Sequence, residues 1–379
     1  VAKPIVKVYL GAGTSSADEV TSYVRSVYTN RGKSRELDVF TAGQFSFVFD
    51  NRTRAFDPLN TSSPFNGNIV LRRRVTVKVG SEFIFSGYIE NWTFSYDVNG
   101  DSIATASGAD GFMYQANQTL PAVVTTVQKS GARILAAIGQ IYCGIPGDAS
   151  ASIAQGNFNM NDTSIADGTN LLEYLQLVAR SENGAIFWGK NNQFTFKAVN
   201  GGSITTTTFT QDGTDIPYNA INVNYGSDYL YNRIQLQNTF ADVATNNVAS
   251  SIISYGAIVY SDTTLLTNTQ TALQSICNVL ATRYSEPEYR FESVVIELTG
   301  LTSGQQAEVL ALELTDFVQV SFTPNLVGSN ILKYCQIIGI DHSISTSNHA
   351  VTFKFSSADN GWLTLDNTVL GRLDFNLLG

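Results

Sequence analysis

Residues 35–71 read RELDVFTAGQFSFVFDNRTRAFDPLNTSSPFNGNIVL, and the fold turns on this stretch. Over Gln44–Asp50 the side chains Phe45, Phe47 and Phe49 alternate with their neighbours, the period of a half-buried β-strand. The strand ends at Asp50-Asn51, turn residues follow, and a polar loop rich in Asn, Ser and Pro runs to Asn68 with Phe56 and Phe65 as anchors. A loop this long that keeps aromatic anchors is ordered and functional as a rule. Its side chains offer turn formation and packing, not acid–base chemistry. The reading is therefore an interaction surface made by Asp50, Asn51, Arg52, Phe56, Asp57, Pro58, Asn60, Phe65 and Asn68. The basic run Arg72-Arg73-Arg74 follows at once and joins this set. Its plainer reading is a strand start that makes ion pairs.

Working outward, most of the chain reads as short β runs. Ile5–Leu10 is a strand ended by Gly11 and Gly13, and Val20–Tyr28 is ambiguous but leans to strand. Arg74–Val79 alternates Val75, Val77 and Val79; Phe83–Trp92 and Trp92–Val98 make another pair. Asn99-Gly100 is a hairpin turn with Ser102–Ala109 as the return strand. Residues 1–125 thus form an antiparallel β domain, a barrel or a sandwich. Residues 126–205 change character. Ala132–Cys143 and Thr169–Glu182 carry apolar residues at helical spacing, and Ala185–Trp188 with Gln193–Val199 form a hairpin, giving an α+β insert. Residues 206–379 return to β. Strands are expected at Asn222–Tyr225, Asn232–Asn238, Ser250–Val259, Phe291–Leu298, Phe317–Phe322, Lys333–Ser345 and Ala350–Phe355. A helix-containing segment lies near 260–290, with Asn268–Ser285 as the helix, and a hairpin tip near Asp341–His349. The chain is mainly β with an α+β insert, and it shows a coarse echo: β, α+β, then β again.

Composition narrows the function. The chain has 379 residues, enough for two or three domains. Hydrophobic residues make up 43% and charged residues only 15%, a balance that excludes disorder. No run approaches the roughly 18 apolar residues of a membrane helix, and Val1–Leu10 shows no signal-peptide pattern. The net charge of −9 disfavours a grip on a phosphate backbone, though not a channel through which nucleic acid slides. Cys143, Cys277 and Cys335 are odd in number and far apart, the first two in helix-like stretches; reduced thiols are expected, with no zinc site.

Motifs for chemistry are weak. Asp341-His342-Ser343 invites a triad, but strand neighbours point to opposite faces. Asp97, Asn99 and Asp101 have a calcium-loop spacing without its later Gly and Glu, and a hairpin explains them. Gly11-Ala12-Gly13 is a broken dinucleotide fingerprint without a βαβ context. Asp50, Asp57, Asp110 and Glu90 are carboxylates for a glycosidase pair, and nothing places two of them about 5–9 Å apart. Asn-x-Ser/Thr triplets at Asn51, Asn60, Asn91, Asn117 and Asn161 are expected by chance.

Several blocks then stand together. Arg31-Gly32 precedes Arg35-Glu36-Leu37-Asp38, and Ala42-Gly43 precedes its strand. The most specific block runs from Asp50-Asn51-Arg52 through Phe56-Asp57-Pro58 to Asn60-Thr61-Ser62-Ser63-Pro64-Phe65 and Gly67-Asn68. Arg73, Gly87-Tyr88-Ile89, Trp92 and Asp110-Gly111-Phe112 continue it. Near the end come Gly339–His342, Phe353–Ser356, Ala358-Asp359, Trp362, Leu365-Asp366 and Val369-Leu370-Gly371. Together these resemble the minor tail or tail-hub proteins of tailed bacteriophages. The resemblance covers most of the chain and is weakest between about 200 and 330; Thr53 and Ala55 stand where that family often has Gly, Asp or Arg.

The resemblance implies a structural hub at the distal end of a virion tail. Such hubs are homotrimers whose subunits each carry two tube-like antiparallel β-barrel domains, so that three chains match a hexameric tail tube. The partner above is the tail tube or a distal tail protein, smaller α+β domains outside hold spike, fibre or other baseplate proteins, and DNA passes through the lumen without specific binding. The coarse echo then corresponds to two barrels, in 1–125 and 206–379. The length suits a hub without a long C-terminal host-binding extension. No enzyme activity, cofactor or metal is implied. Two alternatives stay open: a receptor- or carbohydrate-binding tail protein, and a tail-associated peptidoglycan hydrolase.

Overall fold

The computed structural model describes residues 3–11, 13–199 and 201–358. Ala12 of the broken glycine fingerprint, and Asp359, Trp362, Leu365-Asp366 and Val369-Leu370-Gly371, lie outside the described residues.

Six strands build the N-terminal part: β1 (Val6–Leu10), β2 (Val24–Gly32), β3 (Thr41–Asp50), β4 (Arg74–Val79), β5 (Glu82–Tyr96) and β6 (Ser102–Ala109). They pair antiparallel in the order β1-β4-β5-β6-β3-β2. Six more build the C-terminal part: β7 (Ile204–Thr210), β8 (Ala220–Asn224), β9 (Arg290–Glu297), β10 (Phe317–Phe322), β11 (Ile331–Ser345) and β12 (His349–Ser357). Their order is β7-β10-β11-β12-β9-β8, the same permutation. One difference is that β7 runs parallel to β10, where β1 and β4 are antiparallel.

Neither sheet closes on itself among the described residues. The outer edge of β1 is met by the segment that leads into β2: Leu10 donates its N–H to Asp18 O, and Val20 donates to Val8 O, both at 2.8 Å. The outer edge of β7 is met by Ile216–Pro217, which leads two residues later into β8. The β-rich architecture with smaller α+β segments matches the expectation; neither ladder closes into a paired barrel. The two sheets are continuous, because β2 pairs antiparallel with the distal half of β11, from Ser26↔Ser345 to Gly32↔Gly339.

Between the sheets in sequence lie α1 (Phe112–Ala116), α2 (Ser130–Ile138) and α3 (Leu171–Ser181). They accompany a three-stranded sheet of Ser150–Ile153, Ala185–Gly189 and Gln193–Lys197. Asn170 caps α3, its side-chain oxygen accepting the Glu173 N–H at 3.1 Å. A second excursion, between β8 and β9, holds strands Arg233–Asn238, Val243–Asn247 and Val259–Leu265 with α4 (Ala249–Tyr255) and α5 (Gln270–Tyr284). It has its own core of Ile234, Leu236, Leu273, Ile276 and Cys277.

Four local expectations differ from the structure. Phe83–Trp92 and Trp92–Val98 are one strand, β5, whose hairpin partner is β6; an irregularity at Glu90 bends it without ending it. Val20–Tyr28 opens with a 3-10 turn at Thr21–Tyr23 before β2. Ser250–Val259 is not a strand: Ser250 to Tyr255 belong to α4, where buried Ser251 accepts from Asn232 and donates to Ser285 O, tertiary bonds that outweigh local propensity. Cys143 sits past the end of α2 and is half-buried, whereas Cys277 and Cys335 are buried. A further helix, α6 (Ser303–Ala311), begins at a capping box formed by Thr302 and Gln305.

Candidate functional site

The loop from Asn51 to Arg73 folds over the aromatic end of the first sheet. Phe56 stacks on Phe49 at 4.4 Å and on Phe65 at 5.3 Å, and Trp92 lies 5.9 Å from Phe56. Tyr23 closes the pile edge-on against both loop rings. Fully buried Asn51 organises the entry: its backbone N–H donates to Ser102 O at 2.8 Å, and its side-chain oxygen accepts the Phe56 N–H at 2.9 Å. Ser63 donates its hydroxyl to Ala55 O, and Asp57 accepts from Arg54 Nε at 2.8 Å.

The candidate residues thus divide by location. Asn51, Phe56, Asp57 and Phe65 are buried and hold the loop from inside. Arg52, Pro58 and Arg72 face outward, Asn60 and Asn68 are half-buried, and the loop also presents Leu59 (84% exposed) and Leu71 (61%). Asp50 bonds Arg52 Nε at 2.9 Å, with Arg25 also nearby, and the hydrogen bond from Arg52 holds its carboxyl down to about 2. The arginine run follows the ion-pair reading in part. Arg74 reaches Asp148 at 3.6 Å, Arg73 donates to Asn68 at 2.6 Å, and Arg72 lies over the Tyr114 ring at 5.3 Å. With Tyr88 and Pro146–Asp148 these arginines line an open cleft.

The carboxylates do not assemble into an acid–base pair. Asp50 and Asp57 are each held by an arginine, and Glu90 sits exposed at the β5 irregularity. Asp110 is buried at a turn, where it accepts the Gly43 N–H at 2.7 Å and the Phe112 N–H at 3.0 Å; burial pushes it up to about 7. Asp97 accepts the Asn99 N–H at 2.7 Å and Asp101 binds Arg25 at 2.6 Å, so the calcium-like spacing serves a hairpin. Among the described residues no three His, Cys, Asp or Glu are grouped to hold a metal. His342 and His349, one on each strand of the β11–β12 hairpin, face each other, Nδ1 to Nε2 at 3.0 Å, and both are buried.

Two features escaped the sequence reading of the site. The first is a buried ionic cluster: Glu36 with Arg290 at 2.7 Å, Arg290 with Glu288 at 3.2 Å, and Glu288 with Lys333 at 2.7 Å. The second is the β2–β11 joint. The signal for both was present, since Arg31-Gly32, Arg35-Glu36 and Gly339–His342 stand out as motifs, but nothing local says that they meet.

This architecture is that of phage tail proteins. The 43 kDa tail protein of prophage MuSo2 from Shewanella oneidensis superposes with a TM-score of 0.64 at 12% identity, over 93% of this chain and 98% of that one. The tail protein from Neisseria meningitidis MC58 gives 0.62 at 12% identity, over 93% and 96%. A prophage tail protein from Listeria monocytogenes EGD-e gives 0.52 at 10% identity, over 93% and 95%. No family model matches the sequence, and no curated protein matches it.

Proposed function

We propose that this chain is a structural tail protein, the hub at the distal end of a phage tail, joining the hexameric tail tube to a trimeric tip or spike. One observation carries the reading: a single chain holds two six-stranded sheets of identical strand order, joined edge to edge through β2 and β11. Three such chains present six similar units, the number a hexameric tube requires. The units are taken as 1–125 and 206–379, with 126–205 and the α5 segment lying outside as carriers of fibre, spike or baseplate proteins. The net charge of −9 suits a lumen through which DNA passes without sticking. Assembly rather than catalysis is the work proposed, and the separate engagement of Asp50, Asp57 and Asp110 supports that.

The testing measurement is absolute mass by light scattering across a concentration series, with gold-labelled antibody on intact tails to locate the chain. A particle of three times 41.1 kDa and label at the distal end are expected. A single-chain mass throughout, with label along the tail shaft, overturns the hub.

A further inference from the structure

The β2–β11 joint has a counterpart in the molecule whose two halves, among the described residues, are both without a strand partner. Identical strand order lets the sheets be aligned rung by rung. Val27, Phe47, Ala106 and Trp92 form one rung across β2, β3, β6 and β5. Ile221, Val294, Phe353 and Ile340 form the matching rung across β8, β9, β12 and β11. One irregularity falls at the same rung in both: β5 is interrupted between Ile89 and Asn91, β11 between Ile337 and Gly339, whereas the shift of β8 against β9 between Asn222 and Val223 has no counterpart at that rung of β2. So β8 is the equivalent of β2, and the distal half of β5 is the equivalent of the distal half of β11.

In the second sheet the distal half of β11 is covered by β2. In the first sheet, among the described residues, the distal half of β5, Asn91–Tyr96, pairs with β6 alone, and β8 pairs with β9 alone. Both are uncharged edges without Lys or Pro, the residues with which natural sheets blunt a free edge. Burial tells the same story. Val27, Thr29, Ile340, His342 and Ile344 are buried at the joint. At the equivalent free positions Ile221, Val223, Trp92 and Phe94 are only half-buried, and Tyr96 is 59% exposed. The Trp92 indole N–H has no acceptor.

We infer that β8 of one copy of this chain adds antiparallel to the distal half of β5 of a second copy, repeating the β2–β11 joint between subunits. The register follows from Val27↔Ile344 and Thr29↔His342. Ile221 stands opposite Tyr96, Asn222 opposite Ser95, Val223 opposite Phe94 and Asn224 opposite Thr93. Apolar side chains then meet on the inner face and polar ones on the outer. The contact is head-to-tail, so each copy gives one edge and receives another, and a ring of alternating internal and intersubunit joints results. The number of copies in that ring rests on the trimer proposed above; the pairing itself does not.

Cysteine cross-linking in the full chain tests the register. Paired strand residues lie about 4.5–5.5 Å apart at Cα, within disulfide range. In a Cys143→Ser background, mild oxidation of the Ser95→Cys/Asn222→Cys chain is expected to give reducible species of two and three chain masses. A mixture of the two single variants is expected to stop at two. Val223→Lys is expected to return particles of 41.1 kDa with an unchanged circular dichroism spectrum. A trimer that neither cross-links nor responds to Val223→Lys overturns the edge pairing and leaves the trimer standing. A single-chain mass without cross-links overturns both.

Discussion

Glu36 accepts a 2.7 Å hydrogen bond from Arg290 Nη1 across 254 positions of sequence, and both side chains are buried. The pair ties the loop after β2 to the first residue of β9, and Glu288 and Lys333 extend it toward β11. Burial works against the Glu288 carboxylate, but bonds from Lys333 and Ser357 outweigh it and leave its pKa below the usual range. Removing one member of a buried pair strands the other. Glu36→Ala is therefore expected to cost about 3 kcal/mol in urea unfolding. Glu36→Leu with Arg290→Met should recover part of that, because the 2.7 Å pair is removed together; Glu288 keeps Lys333, while Arg283 loses its 3.7 Å contact with Glu36. Equal losses in the single and double variants would refute this account.

The loop that caps the first sheet depends on one side chain more than on its exposed residues. Asn51 satisfies the Phe56 N–H from inside. Asn51→Ala is expected to cost about 1–3 kcal/mol, the price of a buried donor left unpaired. Phe56→Ala empties the centre of the aromatic pile and is expected to cost about 3–5 kcal/mol. Arg52→Ala, at an exposed ion pair, should stay within about 0.5 kcal/mol. Thermal unfolding of the three variants checks the ranking; an Arg52 effect as large as that of Phe56 would contradict it.

Acid should weaken the fold through two histidines. His342 and His349 share one hydrogen bond at 3.0 Å in the interior. Burial pushes His349 down to about 3, and burial, His349, Arg31 and Lys190 all disfavour a proton on His342. Folded pKa values below the ordinary 6.5 mean that the unfolded chain takes up protons that the folded chain refuses. The His349 contribution is intact above about pH 6.5 and falls as pH drops toward 3, by about 1.4 kcal/mol per pH unit; that of His342 is lost in the same direction. Between pH 7.5 and 5 the His349 contribution is expected to fall by about 2 kcal/mol, with His342 acting in the same direction, and His342→Gln/His349→Gln should flatten that slope. Urea midpoints at the two pH values decide it.

The strands were legible in the sequence because alternation is local. Phe45, Phe47 and Phe49, the Val75–Val79 run and Asn99-Gly100 each carry their own signal, and each lies where its pattern places it. Residue pairs joined by the fold were not legible. Gly43 and Asp110 bond each other across 67 positions, and Gly32 faces Gly339; in sequence these are four separate motif residues. The loop residues Phe56 and Phe65 were legible as anchors, yet anchoring puts them inside; the loop's outer face carries the expected Arg52, Pro58 and Arg72 together with Leu59 and Leu71, which carry no pattern. Helix α4 was missed because Ser251 finds its partners in Asn232 and Ser285, distant contacts that no local window contains.

The joint between the sheets turns on a glycine. Gly32 holds φ at +101° opposite Gly339, and a Cβ there would be driven into the Ile338 carbonyl oxygen and to 2.8 Å from Gly339 Cα. Both obstacles are backbone and cannot rotate away. Gly67 offers the control: its φ is +81°, and a Cβ there meets nothing within 4 Å. Alanine at either site pays backbone strain of about 1–2 kcal/mol, and only Gly32→Ala adds the collision. Gly32→Ala is therefore expected to lose at least about 1 kcal/mol more than Gly67→Ala in urea unfolding. Its amides over Ser26–Gly32 should also exchange with deuterium faster than those of β4, because the obstruction lies in the β2–β11 ladder and not in β1-β4-β5. Equal stability losses with uniform exchange would show that the strain is absorbed locally and that the joint does not depend on a bare backbone at position 32.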